Sequence, residues 1–301
     1  MKNLAQEMAD IIAQHQWNQK YQELLQEAVQ DEDVQQFLAS HPQIKSVALQ
    51  QDVDAIYEFV QAKSKSLAGY QPRLIWQNQH ILVSYEPDQQ LIAHKKAQAF
   101  KNKFQTIDMA SDLDQADLDD FAQGDTGRQA AYLQALRFLT SYNPQQNFVP
   151  GLYLAGDFGV GKTYLLAAIA KKLVSQNTAV MLVHFPTFAV QMKNSINDHS
   201  VMDKIEQIKD VPILMLDDIG ADSLSSWVRD EILGVILQYR MQEKLATFFS
   251  SNFSMADLQK HLAVNQRGDQ EPIKAARIME RVHFLAQEVV VLGTNRRHQN
   301  H

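Results

Sequence analysis

No cysteine occurs anywhere in the 301 residues. Disulfides and thiolate-held metals are therefore excluded, and the cytoplasm is the expected compartment. Long apolar runs are missing as well. None approaches the roughly 20 residues that a spanning helix needs, so no membrane partner is expected. The opening stretch, MKNLAQEMADII, is amphipathic and carries acids, unlike a secretory leader. Basic excess is lacking too. Lys and Arg total 28 against 35 Asp and Glu, a net charge of −7. That balance argues against a broad basic face for duplex DNA. It leaves open a narrow groove for single strands, which needs only a few cations and aromatic platforms.

What the chain does contain is centred on one loop. Gly156 to Thr163 reads GDFGVGKT and fits the P-loop pattern G-x-x-x-x-G-K-[ST]. A strand-like run, Gly151 to Ala155, precedes it, and a helical run from Tyr164 to Leu173 follows. Strand, glycine loop and helix together aim backbone N–H groups and the positive end of a helix at phosphates. Gly156, Gly159 and Gly161 let the backbone approach closely. Asp157, Phe158, Val160 and Tyr164 complete the expected cradle. Lys162 is placed to reach the β- and γ-phosphates of ATP, and the Thr163 hydroxyl to hold Mg²⁺.

Residues 1–65 are predicted helical. Leu4, Met8, Ile11 and Ile12 keep helical spacing, as do Tyr21, Leu24, Leu25 and Ala28. Asp31 to Ser40 forms a further segment, and Asp52 is a candidate cap for a helix bearing Val53, Ile56, Tyr57 and Val60. Arg73–Trp76 and His80–Tyr85 read as a hairpin turning at 77–79. Leu91 to Phe104 reads as helix again. His80 and His94 lack the cysteine or acid company of a metal site. Nothing catalytic stands out, so residues 1–110 are read as a docking domain. Residues 111–127 are an acidic linker whose Leu113, Leu118 and Phe121 are spaced to pack. Residues 128–301 form the ATPase domain.

Beyond the P-loop, strand and helix alternate, the mark of an α/β fold with a parallel sheet wrapped by helices. Strands are predicted at Val180–Val183, Ile213–Leu216, Ala246–Ser251 and Val289–Leu292, and a helix begins at Pro186. Ile213 to Asp218 is an apolar strand ending in two acids, as a Walker B element requires. Asp217 would act on Mg²⁺, and Asp218 would orient or deprotonate the attacking water. Asn252, at the end of the next strand, carries an amide that can hold that water or the γ-phosphate; the other reading is a turn cap.

Together GDFGVGKT, ILMLDDIG, SSN at Asn252, ARIMERV around Arg277 and Arg281, and GTNRR at 293–297 give a family pattern. The chain resembles the bacterial helicase loaders of the DnaC/DnaI type, which are AAA+ ATPases, and the DnaI-like primosomal proteins in particular. The resemblance covers residues from about 125 to 297. It implies an AAA+ domain behind a small, mainly helical N-terminal domain with a hairpin. It implies that Asn252 is sensor 1, that Arg281 is an arginine finger serving a neighbouring subunit, and that Arg297 is the sensor 2 arginine. Self-association through the Arg281 face follows. It also implies single-stranded DNA contacts over Met192–Met202 and Ser223–Trp227, with Ser225 and Trp227 foremost.

The implied function is ATP-dependent delivery of the replicative hexameric helicase to single-stranded DNA, with residues 1–110 binding the helicase. The alternative is an IstB-type ATPase helper of a transposase, built on nearly the same core. Asp218 stands where most AAA+ ATPases carry glutamate, one methylene longer, so slow, switch-like hydrolysis is expected.

Overall fold

The structure, a computed structural model, describes residues 26–44, 51–64, 69–109, 113, 115–122, 126–143, 145–196, 200–222 and 224–295. The helices expected from Leu4 to Leu25 lie outside these residues. The chain divides into two compact units, residues 1–98 and 99–301.

Among the described residues, the first unit packs helices against a hairpin. Helices α1 (Glu32–Ser40) and α2 (Val53–Ser64) and strands β1 (Tyr70–Gln77) and β2 (His80–Pro87) enclose Val34, Leu38, Ile56, Phe59, Leu74 and Ile81. Asp31 caps α1 by accepting from the N–H groups of Asp33 and Val34. Lys63 reaches across from α2 to both Asp31 and Asp33, tying the two helices together. The hairpin turns on Asn78 and Gln79 alone. Both have positive φ, 53° and 65°, as a two-residue turn matched to the strand twist demands. Asp52 turns its carboxylate to the hairpin rather than serving only its own helix. Oδ2 accepts from the Ile81 N–H at 2.7 Å and Oδ1 lies 2.9 Å from His80 Nδ1.

Helix α3 (Gln89–Lys103) runs across the division and leads directly into β3 (Phe104–Ile107). Extending the helix through Phe104, as the sequence is read above, is therefore corrected. Phe104 begins a parallel edge strand, paired through Phe104↔Val180 to Ile107↔Val183. Four residues after a polar helix carry too little periodicity to announce a strand.

The second unit is a six-stranded sheet in the order β3-β5-β6-β7-β4-β8. Its strands are β4 (Gly151–Ala155), β5 (Val180–His184), β6 (Ile213–Asp217), β7 (Thr247–Ser251) and β8 (Ala286–Val290), all paired in parallel. Strands β4, β6 and β7 are buried along their whole length, which is why β4 and β6 read as continuous apolar runs rather than alternating ones. β8 starts three residues earlier than Val289, because helix α11 (Pro272–Leu285) passes into it without a loop.

The linker is partly structured. Ala116, Leu118 and Phe121, around α4 (Leu118–Ala122), are buried beside α5 (Thr126–Ser141) and α6 (Lys162–Ser175). Opposite them, α7 (Phe185–Asn194), α8 (Val201–Lys209), a π-helix (Val228–Leu233), α9 (Gly234–Gln242), α10 (Met255–Leu262) and α11 cover the other face. Arg240 is wholly buried in that layer, and burial lowers its pKa to about 9. Its guanidinium donates to the carbonyls of Val211 and Ala246 and to the Thr247 hydroxyl, closing the end of the sheet. Among the described residues no helix is long and apolar enough to cross a membrane.

Candidate nucleotide site

The chain climbs β4 to the carboxyl end of the sheet and turns through the glycine loop. Its neighbours there are β7 on one side and β8 on the other. The succeeding strand in sequence, β5, is separated from β4 by β6 and β7, the kind of switch in strand order beside which α/β sheets bind ligands. Gly159 and Gly161 have φ of 76° and 100°, which side chains other than glycine rarely accept. Gly161 starts α6, and the Leu165 N–H returns to its carbonyl at 2.9 Å.

Lys162 is 8 % exposed. Its ammonium donates to Gly156 O at 2.7 Å, to Asp157 O at 2.9 Å and to Asn252 Oδ1 at 2.8 Å. A buried ammonium at the mouth of a glycine loop is suited to an anionic ligand. Asn252 thus binds the P-loop lysine directly, and its Nδ2 lies 3.4 Å from Asp218 Oδ1.

The Thr163 hydroxyl donates to Asp217, 2.9 Å from Oδ1 and 3.1 Å from Oδ2. Asp217 is buried, and burial pushes its carboxyl above the usual range. Hydrogen bonds from Ser250 and Thr163 work the other way, Asp218 adds to the rise, and His184 opposes it. A carboxylate beside a hydroxyl is a hard oxygen set, the kind that fits Mg²⁺. Asp218 follows at φ 61°, a left-handed conformation that aspartate tolerates better than most residues.

The remaining cradle residues divide by role. Val160 is buried under the loop and Tyr164 is half-buried, its hydroxyl accepting from the Asp117 N–H of the linker at 3.0 Å. Phe121 lies in van der Waals reach of Gly161, and Arg128 stacks over its ring. Asp157 and Phe158 are exposed at the tip, Phe158 at 65 %.

Two features of the site lie inside quoted motifs that assign them no role. Ser250 contacts both Walker B residues from β7. Its hydroxyl is two residues before Asn252, so strand alternation puts them on one face; the SSN motif contains it but gives it no role. The second is Asn295, whose amide fills the space where a Cβ on Gly159 would stand. The segment after β8 is laid there by the Val291 N–H bonding Ala155 O at 2.7 Å and by Arg128 Nη2 bonding Thr294 O at 3.2 Å.

Arg281 is not brought to this chain's own P-loop. It sits on α11 and donates from Nη1 to Gly234 O at 2.8 Å. Arg297 lies outside the described residues, as do residues 197–199 of the Met192–Met202 segment and Ser223. Within that segment Ile196 and Met202 are exposed, at 49 % and 59 %, while Met192 is buried. Ser225 is half-buried, and its hydroxyl accepts from the Val228 N–H at the start of the π-helix. Trp227 is half-buried as well and packs on the core.

Comparison with known proteins matches two families along the chain. Residues 1–85 match the family described as primosomal protein DnaI N-terminus, and residues 112–263 match the bacterial DnaA ATPase domain. Among curated proteins, the replicative helicase loader DnaI of Bacillus subtilis (strain 168) is 36 % identical. The match covers 99 % of this chain and 100 % of that protein. A crystal structure of DnaI is 44 % identical at a TM-score of 0.57, over 65 % of this chain and 98 % of that one. The crystal structure of the DnaC helicase loader shares the fold at 23 % identity and a TM-score of 0.51, over 61 % of this chain and 100 % of that one.

Proposed function

Because this chain belongs to the DnaI family of replicative helicase loaders, we propose how it divides the loader's work and which residues carry it. Its role lies in DNA replication, and its second unit is an AAA+ ATPase. Residues 1 to about 110 bind the hexameric replicative helicase. Residues 111–127 link this docking domain to the ATPase domain, residues 128–301, which binds Mg·ATP and single-stranded DNA. The protein acts in the cytoplasm, where that helicase and its DNA are found. The family match of the N-terminal residues favours this reading over a transposase helper.

One observation carries the site assignment. Lys162, Thr163, Asp217, Asp218 and Asn252 come from three separate stretches and meet in one hydrogen-bonded group. Lys162 would reach the β- and γ-phosphates. Thr163 and Asp217 would hold a magnesium ion, which would supply neutralisation of phosphate charge. Asp218 orients the attacking water, and Asn252 reports on the γ-phosphate while touching Asp218. Gly156, Asp157, Phe158, Gly159, Val160, Gly161 and Tyr164 shape the cradle. Arg281 serves the ATP of a neighbouring subunit, and Arg297 is the sensor 2 arginine.

Asp218 is shorter than the usual glutamate, so hydrolysis is slow and resets a switch rather than driving motion. Single-stranded DNA lies along Met192–Met202, Ser225 and Trp227, with Trp227 offering a base its ring.

The decisive experiment separates the two compact units and leaves strand β3 with the ATPase sheet. Residues 1–98 and residues 99–301 are each run with the cognate helicase on size-exclusion chromatography, and each is titrated with labelled oligo-dT over a salt series. The first fragment should co-elute with the helicase without ATP. The second should bind ATP and oligo-dT, with a modest salt slope because an acidic chain makes few phosphate contacts. Helicase binding confined to residues 99–301 would overturn the division of labour.

A further inference from the structure

Strand β7 runs beside the Walker B strand β6 through the pairs Leu214↔Thr247, Met215↔Phe248 and Leu216↔Phe249. One step further on, Ser250 stands next to Asp217. Its hydroxyl is 1 % exposed and makes two contacts. It donates to Asp217 Oδ1 at 2.5 Å and accepts from the Asp218 N–H at 2.9 Å. The direction of both bonds is forced. An N–H can only donate, so the single hydroxyl proton must go to the Asp217 carboxylate. The Ser250 carbonyl in turn accepts from the Ile219 N–H at 2.9 Å. One residue therefore pins three consecutive positions, and the middle one is the strained Asp218 at φ 61°.

We propose that Ser250 is the positioning residue of the Walker B pair. It orients the Asp217 carboxylate for a divalent cation and fixes the backbone from which Asp218 projects. The inference rests on the Walker reading of Asp217 and Asp218. Ser251, next along the strand, shows the contrast. Its hydroxyl donates to Ile219 O at 2.7 Å and accepts from the Phe253 N–H at 3.1 Å. It staples backbone to backbone and touches neither acid side chain in those bonds.

Outer-shell partners of metal ligands are worth about 10- to 100-fold in metal affinity, which sets the scale of the test. The full chain is titrated with a fluorescent ATP analogue in Mg²⁺ and in EDTA, and the ratio of the two affinities is compared. Ser250→Ala should lower the Mg²⁺ advantage about tenfold while leaving affinity in EDTA nearly unchanged. Ser250→Thr, which keeps the hydroxyl, should retain the advantage, and the isosteric Ser250→Val should lose it. This pair decides the matter where the alanine variant fails to fold. Ser251→Ala should lower the melting temperature without moving the ratio. An unchanged ratio in both Ser250→Ala and Ser250→Val overturns the proposal. So does an equal loss in Mg²⁺ and EDTA, which marks a merely structural serine. Asp217→Asn separates the two levels of the argument. If it keeps the Mg²⁺ advantage, the Walker B reading fails first; if it loses it while Ser250→Val does not, only the role of Ser250 fails.

Discussion

Arg281 Nη1 lies 2.8 Å from the carbonyl oxygen of Gly234 and donates to it. Gly234 is the first residue after the π-helix, and a Cβ there would come within 3.2 Å of the same nitrogen. Burial lowers the guanidinium's pKa, with Arg277 adding to the effect. The side chain proposed to act on a neighbour's ATP is thus held by its own chain, on the opposite face of the core from the P-loop helix. Arg277, one turn earlier on α11, is exposed. Mounted this way, Arg281 is carried by one helix and braced by another, which suits the proposed action on a neighbour's nucleotide.

That mounting makes a mixing experiment informative. Arg281→Ala should leave ATP binding by the single chain intact. It should cut hydrolysis in the assembled complex steeply, since an engaged arginine finger is worth about a thousandfold or more. An Arg281→Ala subunit supplies an intact P-loop, and a Lys162→Ala subunit supplies the finger. Mixing the two should restore part of the rate. If the mixture hydrolyses no faster than either variant alone, the intersubunit site is wrongly placed.

Much of this was legible in the sequence because close backbone approach and buried charge leave few residue choices. GDFGVGKT and ILMLDD are such places, and the chain brings Lys162, Thr163, Asp217 and Asp218 together there. The sequence marks Asn252 only as a candidate, with a turn cap as the other reading, and its bond to Lys162 was not legible, since a hydrogen bond between separate strand ends has no sequence period. Strand β3 was hidden because its four residues follow a polar helix without a break. Ser250 and Asn295 stand inside the SSN and GTNRR motifs, but their contacts were hidden for a related reason: small polar residues act through where the fold puts them, and neither the burial of Ser250 nor the approach of Asn295 to Gly159 has a sequence signature.

Lys162→Ala tests the nucleotide directly. The ammonium is buried and lies among the P-loop carbonyls and Asn252. Truncating one partner of a buried charged contact costs roughly 2–5 kcal/mol, so affinity for a fluorescent ATP analogue should fall by about a hundredfold or more. Equilibrium titration reads this out, and unchanged affinity would sink the P-loop assignment.

Gly159→Ala meets two obstacles at once. The backbone there has φ 76°, and the added methyl would run into the Asn295 amide. The variant should bind ATP more weakly and melt at a lower temperature. Pairing it with Asn295→Ala relieves the clash but not the backbone strain, which costs on the order of 1 kcal/mol. The double variant should therefore recover only part of the loss. Complete recovery would show that the left-handed conformation carries no cost here.

Glu271 offers a prediction in pH. It accepts from Lys274 Nζ at 2.6 Å, from Arg229 Nη2 at 2.8 Å and from the Ser226 hydroxyl at 2.8 Å. These bonds, Lys274 first, hold its carboxyl down to about 2, against an ordinary 4.5. Arg229 is 1 % exposed and also pairs with Asp230, so the cluster fastens the π-helix to the start of the helix that carries Arg281. A carboxyl whose folded pKa is depressed stabilises the fold fully above its unfolded pKa, and it loses that contribution as acid protonates it in the folded state. Glu271→Gln should thus lower the urea midpoint at neutral pH, because Arg229 is left with one fewer charged partner. The gap between wild type and variant should stay constant down to about pH 4.5 and then narrow continuously toward pH 2. Urea titrations of both proteins at a series of pH values measure it. A gap that does not change with pH would mean that Glu271 contributes through packing and helix geometry rather than through its charge.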